Sequence, residues 1–257
     1  MLAPAGALEA PDIETSSADY ARRFGGAAGA YLLDVQANCV ARALAGLTPG
    51  TALDIGGGHG QLVDPLRQMG WRVTVHGSSE ACAHNLRELH GKRDCPFLQG
   101  DLFALPARDR SFDVALAVRL LPHVEDWPRL LAEMCRVARF AVLVDYPSRR
   151  ALNAFTPLLF GVKRSIEGNT RSYRSFSGAE LAAVFARHSF SVNREVKQFA
   201  LPMVIHRAGG DSWLLRSAER VFRGVGLTAL AGSPVILRAD RSAASFAAMP
   251  ATSVAAT

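Results

Sequence analysis

Between Ala52 and Gln61 the chain reads ALDIGGGHGQ, an apolar run that carries Asp54 and passes directly into glycines at 56, 57, 58 and 60. Glycine adopts positive φ at little cost and lets a ligand press against the backbone. Pro65 is tolerated only in the first turn of the helix that follows, so that helix begins near Gln61 or Leu62 and turns its N-terminal end toward the glycines. Free N–H groups and the helix dipole at such an end stabilise a carboxylate or a phosphate. A plain tight turn needs one or two glycines and no acid, so Asp54 and the glycines together point to a bound small molecule. The spacing is GxGxG, and the third glycine of the dinucleotide fingerprint GxGxxG would fall on Gln61. The next apolar run ends in His76-Gly77-Ser78, without the acid that holds a nicotinamide cofactor's ribose. Both departures disfavour NAD and FAD.

Other stretches carry residues able to move protons. His123 lies in LLPHV, just past the apolar run Phe112–Val118, and a histidine suits proton transfer because its pKa lies near neutrality. It equally suits packing against, or capping, a helix that begins near Asp126. Tyr146, directly after AVLVD, and Tyr173 with Arg174 in the polar stretch GNTRSYRS are further candidates, and they also fit ordinary loop positions. The four cysteines, Cys39, Cys82, Cys95 and Cys135, form no CxxC pair and no Cys/His cluster at metal-ligating spacing. The expectation is reduced structural thiols and no metal site.

The elements that must position these residues alternate along the chain. A helix over Gly29–Leu47 carries one apolar stripe and stops at Pro49-Gly50. Strand Thr51–Ile55, strand Arg72–His76, helix Ser79–Leu89, strand Pro96–Gln99, strand Phe112–Val118, helix Trp127–Val137 and strand Phe140–Asp145 follow. Such alternation predicts an α/β fold, a parallel sheet with helices on both faces. ALDI, VALAV and AVLVD are nearly continuous apolar runs, as strands buried on both sides require. Sheets of this kind bind ligands at the carboxyl ends of their strands, so the site belongs in the loops after Ile55, His76, Gln99 and Val118. Beyond Tyr146 the pattern changes to an apolar helical segment Leu152–Val162, a helix Ser177–His188 opened by a Ser177/Glu180 capping box, a strand Ser191–Phe199, a helix Ser212–Phe222 and an apolar run Pro234–Arg238.

A chain of 257 residues with 49% hydrophobic composition accommodates one substantial core with appendages. Residues 1–17 and 242–257 lack periodicity and read as disordered, leaving 18–241 as the folded domain. No apolar stretch approaches the roughly 20 residues that span a bilayer, and no leader pattern opens the chain, so a cytoplasmic protein is expected. Residues 1–146 carry 14 basic and 17 acidic side chains, whereas 147–257 carry 15 and 6. That asymmetry suits an anionic substrate, peripheral membrane contact or RNA. The arginines are scattered rather than blocked, which disfavours nucleic acid.

Three blocks resemble the class I S-adenosylmethionine-dependent methyltransferases, in particular the branch of ubiquinone/menaquinone-biosynthesis and small-molecule enzymes: ALDIGGGHG (Ala52–Gly60), GDLFALPARDRSFDVALAVRLLPHV (Gly100–Val124) and EDWPRLLAEMCRVAR (Glu125–Arg139). YARRF, Tyr20–Phe24, is similar to the family's N-terminal lid helix. The resemblance implies a Rossmann-like seven-stranded sheet whose last strand is antiparallel, with 149–176 as a substrate-covering insertion. It implies S-adenosyl-L-methionine as cofactor, with Gly56, Gly58 and Gly60 close to it and Asp54 ordering its amino-acid end. Asp101 and the Leu102 N–H would read the adenine, Ala117 and Val118 would face the methionine ammonium, Arg119 would lie beside the methyl group, and Tyr20 would close over the whole. The family's ribose-binding acid ends the second strand; Gly77 stands at that position, leaving His76 or Ser78 as substitutes.

The activity so implied is O- or C-methylation of a small hydrophobic or aromatic metabolite, with His123 or Tyr146 as base and no metal. RNA methylation and a non-catalytic binding module on the same fold are the competing readings. Against nucleic-acid methylation, the chain has no NPPY-type tetrapeptide, and Cys95-Pro96 reverses the Pro-Cys order of cytosine C5 enzymes. A homodimer stays open.

Overall fold

A computed structural model describes residues 10–17, 22, 24–84, 86–88, 90, 95–150, 174–202, 205–206 and 212–242. Seven strands form one sheet: β1 Thr51–Ile55, β2 Arg72–Gly77, β3 Phe97–Gln99, β4 Phe112–Ala117, β5 Ala138–Tyr146, β6 Phe190–Phe199 and β7 Ser233–Arg241. Their order is β3-β2-β1-β4-β5-β7-β6. The first five are parallel, and β7 runs antiparallel to both β5 and β6. This is the seven-stranded Rossmann-like order expected above, with the antiparallel strand inserted between its neighbours.

Among the described residues the α-helices are α1 Pro11–Thr15, α2 Gly26–Leu44, α3 Val63–Gln68, α4 Trp127–Val137, α5 Gly178–Arg187, α6 Trp213–Gly224 and α7 Leu227–Ala231. Alternation along the strands sends side chains to two apolar layers. Leu53, Ile55, Ala115 and Ala117 pack with α4 and α5, while Ala52, Val114 and Leu116 pack with α2 and α3. Helix α2 buries Leu32, Val35, Cys39, Val40 and Ala43, one stripe at spacings of three and four. Arg238 on β7 donates to the carbonyls of Ala43 and Ala45 at 2.9 and 3.0 Å, covering the orphan carbonyls at the end of that helix. Arg241 does the same for Cys135 and Ala138 at the end of α4.

Two differences from the sequence expectation bear on the site. The helix expected over Ser79–Leu89 opens as a 3-10 turn, Glu80–Ala83, because Ser79 Oγ accepts from Ala81 N and the Ser79 carbonyl from Cys82 N. Within residues 1–17, whose composition reads as disordered, Pro11–Thr15 is helical and Asp12 and Ser16 are buried. The physical reason is a tertiary partner, since Asp12 receives hydrogen bonds from the end of β2. The insertion's residues 151–173 and the tail 243–257 lie outside the described residues. The capping box at α5 forms as expected, with Ser177 N donating to Glu180 at 2.9 Å and Glu180 N to Ser177 Oγ at 3.3 Å. Among the described residues no helix is long and apolar enough to cross a membrane.

Candidate active site

β1 delivers Asp54 to the carboxyl edge of the sheet, 2% exposed, on the layer toward α2 and α3. Its carboxylate lies against the backbone of Gly57, where a Cβ would overlap the carboxylate oxygens. Gly56 and Gly60 hold φ of +72° and +65°, a region that glycine enters without steric cost. Gly56 N–H donates to the His76 carbonyl at 2.9 Å, tying the glycine loop to the end of β2. Gly58 has no room for a side chain, since a Cβ would meet the Cys82 carbonyl and Ser16 Oγ. Three separate segments thus converge on the backbone of this loop.

Arg119, just past β4, is the other charged wall. Its φ is +63°, sparsely populated for a residue with a Cβ, and its N–H donates to Asp145 Oδ1 at 2.6 Å. The guanidinium lies 4.4 Å over the Phe24 ring. Burial pushes the Asp54 carboxyl up to about 7, with the Arg119 charge pulling the other way. Burial also raises Asp145 to about 6, opposed by the N–H and charge of Arg119. Two buried carboxyls therefore hold protons more tightly than free ones and compete for one cation. A narrow crevice opens between Asp54 and Arg119. Asp54, Gly56, Gly57 and His59 form one wall, Val118 and Arg119 the other, and Gln61 and Leu62 close it at the start of α3.

The tips of β2 and β3 lie alongside. His76 is fully buried, its ring against the Gly100 backbone. Burial lowers its pKa against the raising influence of Asp12, the Gly100 backbone and Asp101, so the ring is neutral near pH 7. Asp101 Oδ1 accepts from Phe103 N at 2.9 Å, which fixes the turn after β3. The Leu102 side chain is buried in the core, leaving only its backbone to face a ligand.

The structure therefore gathers Asp54, Gly56, Gly58, Gly60, His76, Gly77, Ser78, Asp101, Val118 and Arg119 along one edge of the sheet. Tyr20 and Tyr173 lie outside the described residues. His123 ends a 3-10 turn, Leu121–His123, beyond Arg119 and is not among the residues walling the crevice. Tyr146 is turned into the core: its hydroxyl donates to Glu195 at 3.0 Å, and its ring meets Phe176 edge-on. Burial and the Glu195 carboxylate raise its pKa well above the usual tyrosine value. Sequence reasoning missed Asp12, Ser16, Phe24, His59 and Asp145. Asp145 had a readable signal as the acid closing an apolar strand, whereas Asp12 had none.

Known proteins agree with this architecture. A family described as a methyltransferase domain matches residues 53–140. Malonyl-[acyl-carrier protein] O-methyltransferase of Pectobacterium atrosepticum is 30% identical over 209 residues, covering 76% of this chain and 79% of that protein. Norajmaline N-methyltransferase of Rauvolfia serpentina is 33% identical over 95 residues, only 35% of this chain and 32% of that one. Magnesium protoporphyrin IX methyltransferase of Synechocystis PCC 6803, solved with bound SAH, superposes with a TM-score of 0.58 at 16% identity over 87% of this chain and 93% of that one. The chain belongs to the class I S-adenosylmethionine-dependent methyltransferases. S-adenosylmethionine is the cofactor of that family, and a glycine loop with no space for Cβ atoms beside a buried imidazole fits such a ligand.

Proposed function

We propose that this protein transfers a methyl group to oxygen or carbon of a small hydrophobic or aromatic metabolite. One observation carries the reading. Asp54 and Arg119 present opposite charges at a crevice floored by glycine backbone, which matches the ammonium and carboxylate of an amino-acid end. Asp54 with Gly56, Gly58 and Gly60 would hold that end; the Ala117 and Val118 carbonyls would face the ammonium. Arg119 would border the methyl group, Asp101 and the Leu102 N–H would take the adenine, and His76 and Ser78 the ribose side. Tyr20 would cover them. The bound cofactor supplies an electrophilic methyl group on a sulfonium, so the chain's own contribution is alignment and the exclusion of water.

His123 is the candidate base for a hydroxyl acceptor, standing one short turn beyond the Arg119 corner. Tyr146 is removed from that role by its bond to Glu195. Residues 18–241 are read as the methyltransferase domain, with 149–176 over the acceptor. Apolar Val118 and Leu62 in the wall and the apolar stretch 152–162 support a hydrophobic acceptor. The matched relatives carry names of small-molecule and carrier-bound substrates, which favours that class over RNA. The test is incubation of purified protein with methyl-labelled cofactor and two extracts, one of metabolites and one of RNA. Label in an organic-extractable small molecule is expected, and label confined to RNA would overturn the proposal.

A further inference from the structure

The family's ribose-binding acid is absent at Gly77, and the structure shows why that position cannot carry one. A Cβ there would stand 2.7 Å from Cys82 Cβ and 3.0 Å from the Phe97 ring, both parts of a packed wall. The carboxylate in this neighbourhood comes from elsewhere in the chain. Asp12, in α1, is fully buried against the tip of β2. Its two oxygens accept from Ser78 N and Ser78 Oγ, each at 2.6 Å, and the Cys82 thiol donates to it at 3.4 Å. The same carboxylate acts on the buried ring of His76. Four residues on, Ser16 sits against Gly58 of the glycine loop. The N-terminal segment therefore bridges the loop that takes the amino-acid end and the strand tip that takes the sugar.

We propose that Asp12 supplies, from the N-terminal segment, the carboxylate of the ribose subsite. This inference rests on the cofactor assignment above. A buried carboxylate is stable only where donors surround it. In the free protein Ser78 provides an N–H and an O–H side by side. A ribose offers two hydroxyl donors on adjacent carbons, and on binding they take the acceptor positions that the Ser78 hydroxyl and the Cys82 thiol fill. The recognition is the family's, but its carboxylate arrives on a different element, because Cys82 and Phe97 have closed the usual position. Helix α1 is thereby part of the site and not an appendage to it.

The experiment is calorimetric binding of S-adenosylhomocysteine and of its 2′-deoxy analogue to the full chain and to Asp12→Ala, Asp12→Asn and Ser78→Ala, with thermal melting to confirm folding. The wild-type protein is expected to bind the deoxy analogue about tenfold more weakly than the parent, the worth of one hydrogen bond to a charged group. Asp12→Ala and Asp12→Asn are expected to weaken the parent about 10- to 100-fold and to bind parent and analogue equally. Ser78→Ala keeps the backbone donor and the carboxylate, so it should retain the discrimination; if either Asp12 variant fails to fold, the other and this one decide. Retained discrimination in a folded Asp12 variant overturns the inference, as does tighter binding of the parent, which would make α1 a plug. If the wild-type protein binds neither ligand, the cofactor assignment itself fails, an outcome distinct from the other two.

Discussion

At the tips of β1, β2 and β4 the chain offers backbone and charge to a crevice, whereas on the β5-β7-β6 side its polar side chains close on one another. Asp54, His76 and Arg119 have their surroundings shaped by glycines 56 to 60 and by a left-handed turn at Arg119. Across the sheet Tyr146 bonds Glu195, His206 bonds Glu219, and Arg238 bonds Asp240. What separates the regions is that the first faces a crevice lined by glycine backbone, whereas these pairs are closed within the packed half of the sheet.

The strongest way to break this comparison is to put a side chain into the glycine loop. Gly58→Val should abolish measurable S-adenosylhomocysteine binding, a loss of more than about 100-fold, because its Cβ strikes backbone at Cys82. Wild-type affinity in calorimetry would show that the crevice lies elsewhere. Asp54→Asn should weaken the same ligand about 10- to 100-fold while raising the melting temperature of the free protein at pH 8. Those opposite signs follow from a carboxylate that is buried for a ligand's benefit, and a fall in both quantities would mark Asp54 as structural. Asp101→Ala should cost about tenfold in affinity and leave the fold intact.

A pH series sharpens the same point. The folded-state pKa of Asp54 is raised from 3.8 to about 7, and that of Asp145 to about 6. The folded protein thus binds protons that the unfolded chain has released, and stability present below about pH 4 is lost as pH rises toward 7. Binding of a cationic ammonium at Asp54 should therefore improve from pH 6 to 8, read as a growing ligand-induced melting shift. A shift that shrinks over this range would contradict the assignment. The smallest effect is expected in the other half: Tyr146→Phe should destabilise by about 1 kcal/mol and leave ligand affinity unchanged.

Much of the cofactor half was legible because backbone constraints are written in residue type. Four glycines after an acid, Pro65 five residues beyond the last of them, and Gly100-Asp101 after a short strand are local statements, each of them readable within one segment. Buried strands were equally plain in ALDI and AVLVD, whose apolar runs allow no other placement. The helix over 79–89 was misread at its start because the 3-10 turn depends on Ser79 bonding two residues on. The partner of Tyr146 was not legible, because position after a strand says nothing of where a hydroxyl finds its acceptor, and Glu195 lies 49 residues away.

By itself the sequence determined the α/β alternation and the glycine loop at the end of the first strand, since each follows from φ preferences and apolar periodicity within one segment. Only the tertiary structure decided that Asp12 meets Ser78, that Asp145 holds the turn at Arg119 and that β7 threads between β5 and β6. Those contacts join residues 26 to about 100 positions apart, and the free energy that makes them comes from burial and donor–acceptor matching that no local pattern encodes.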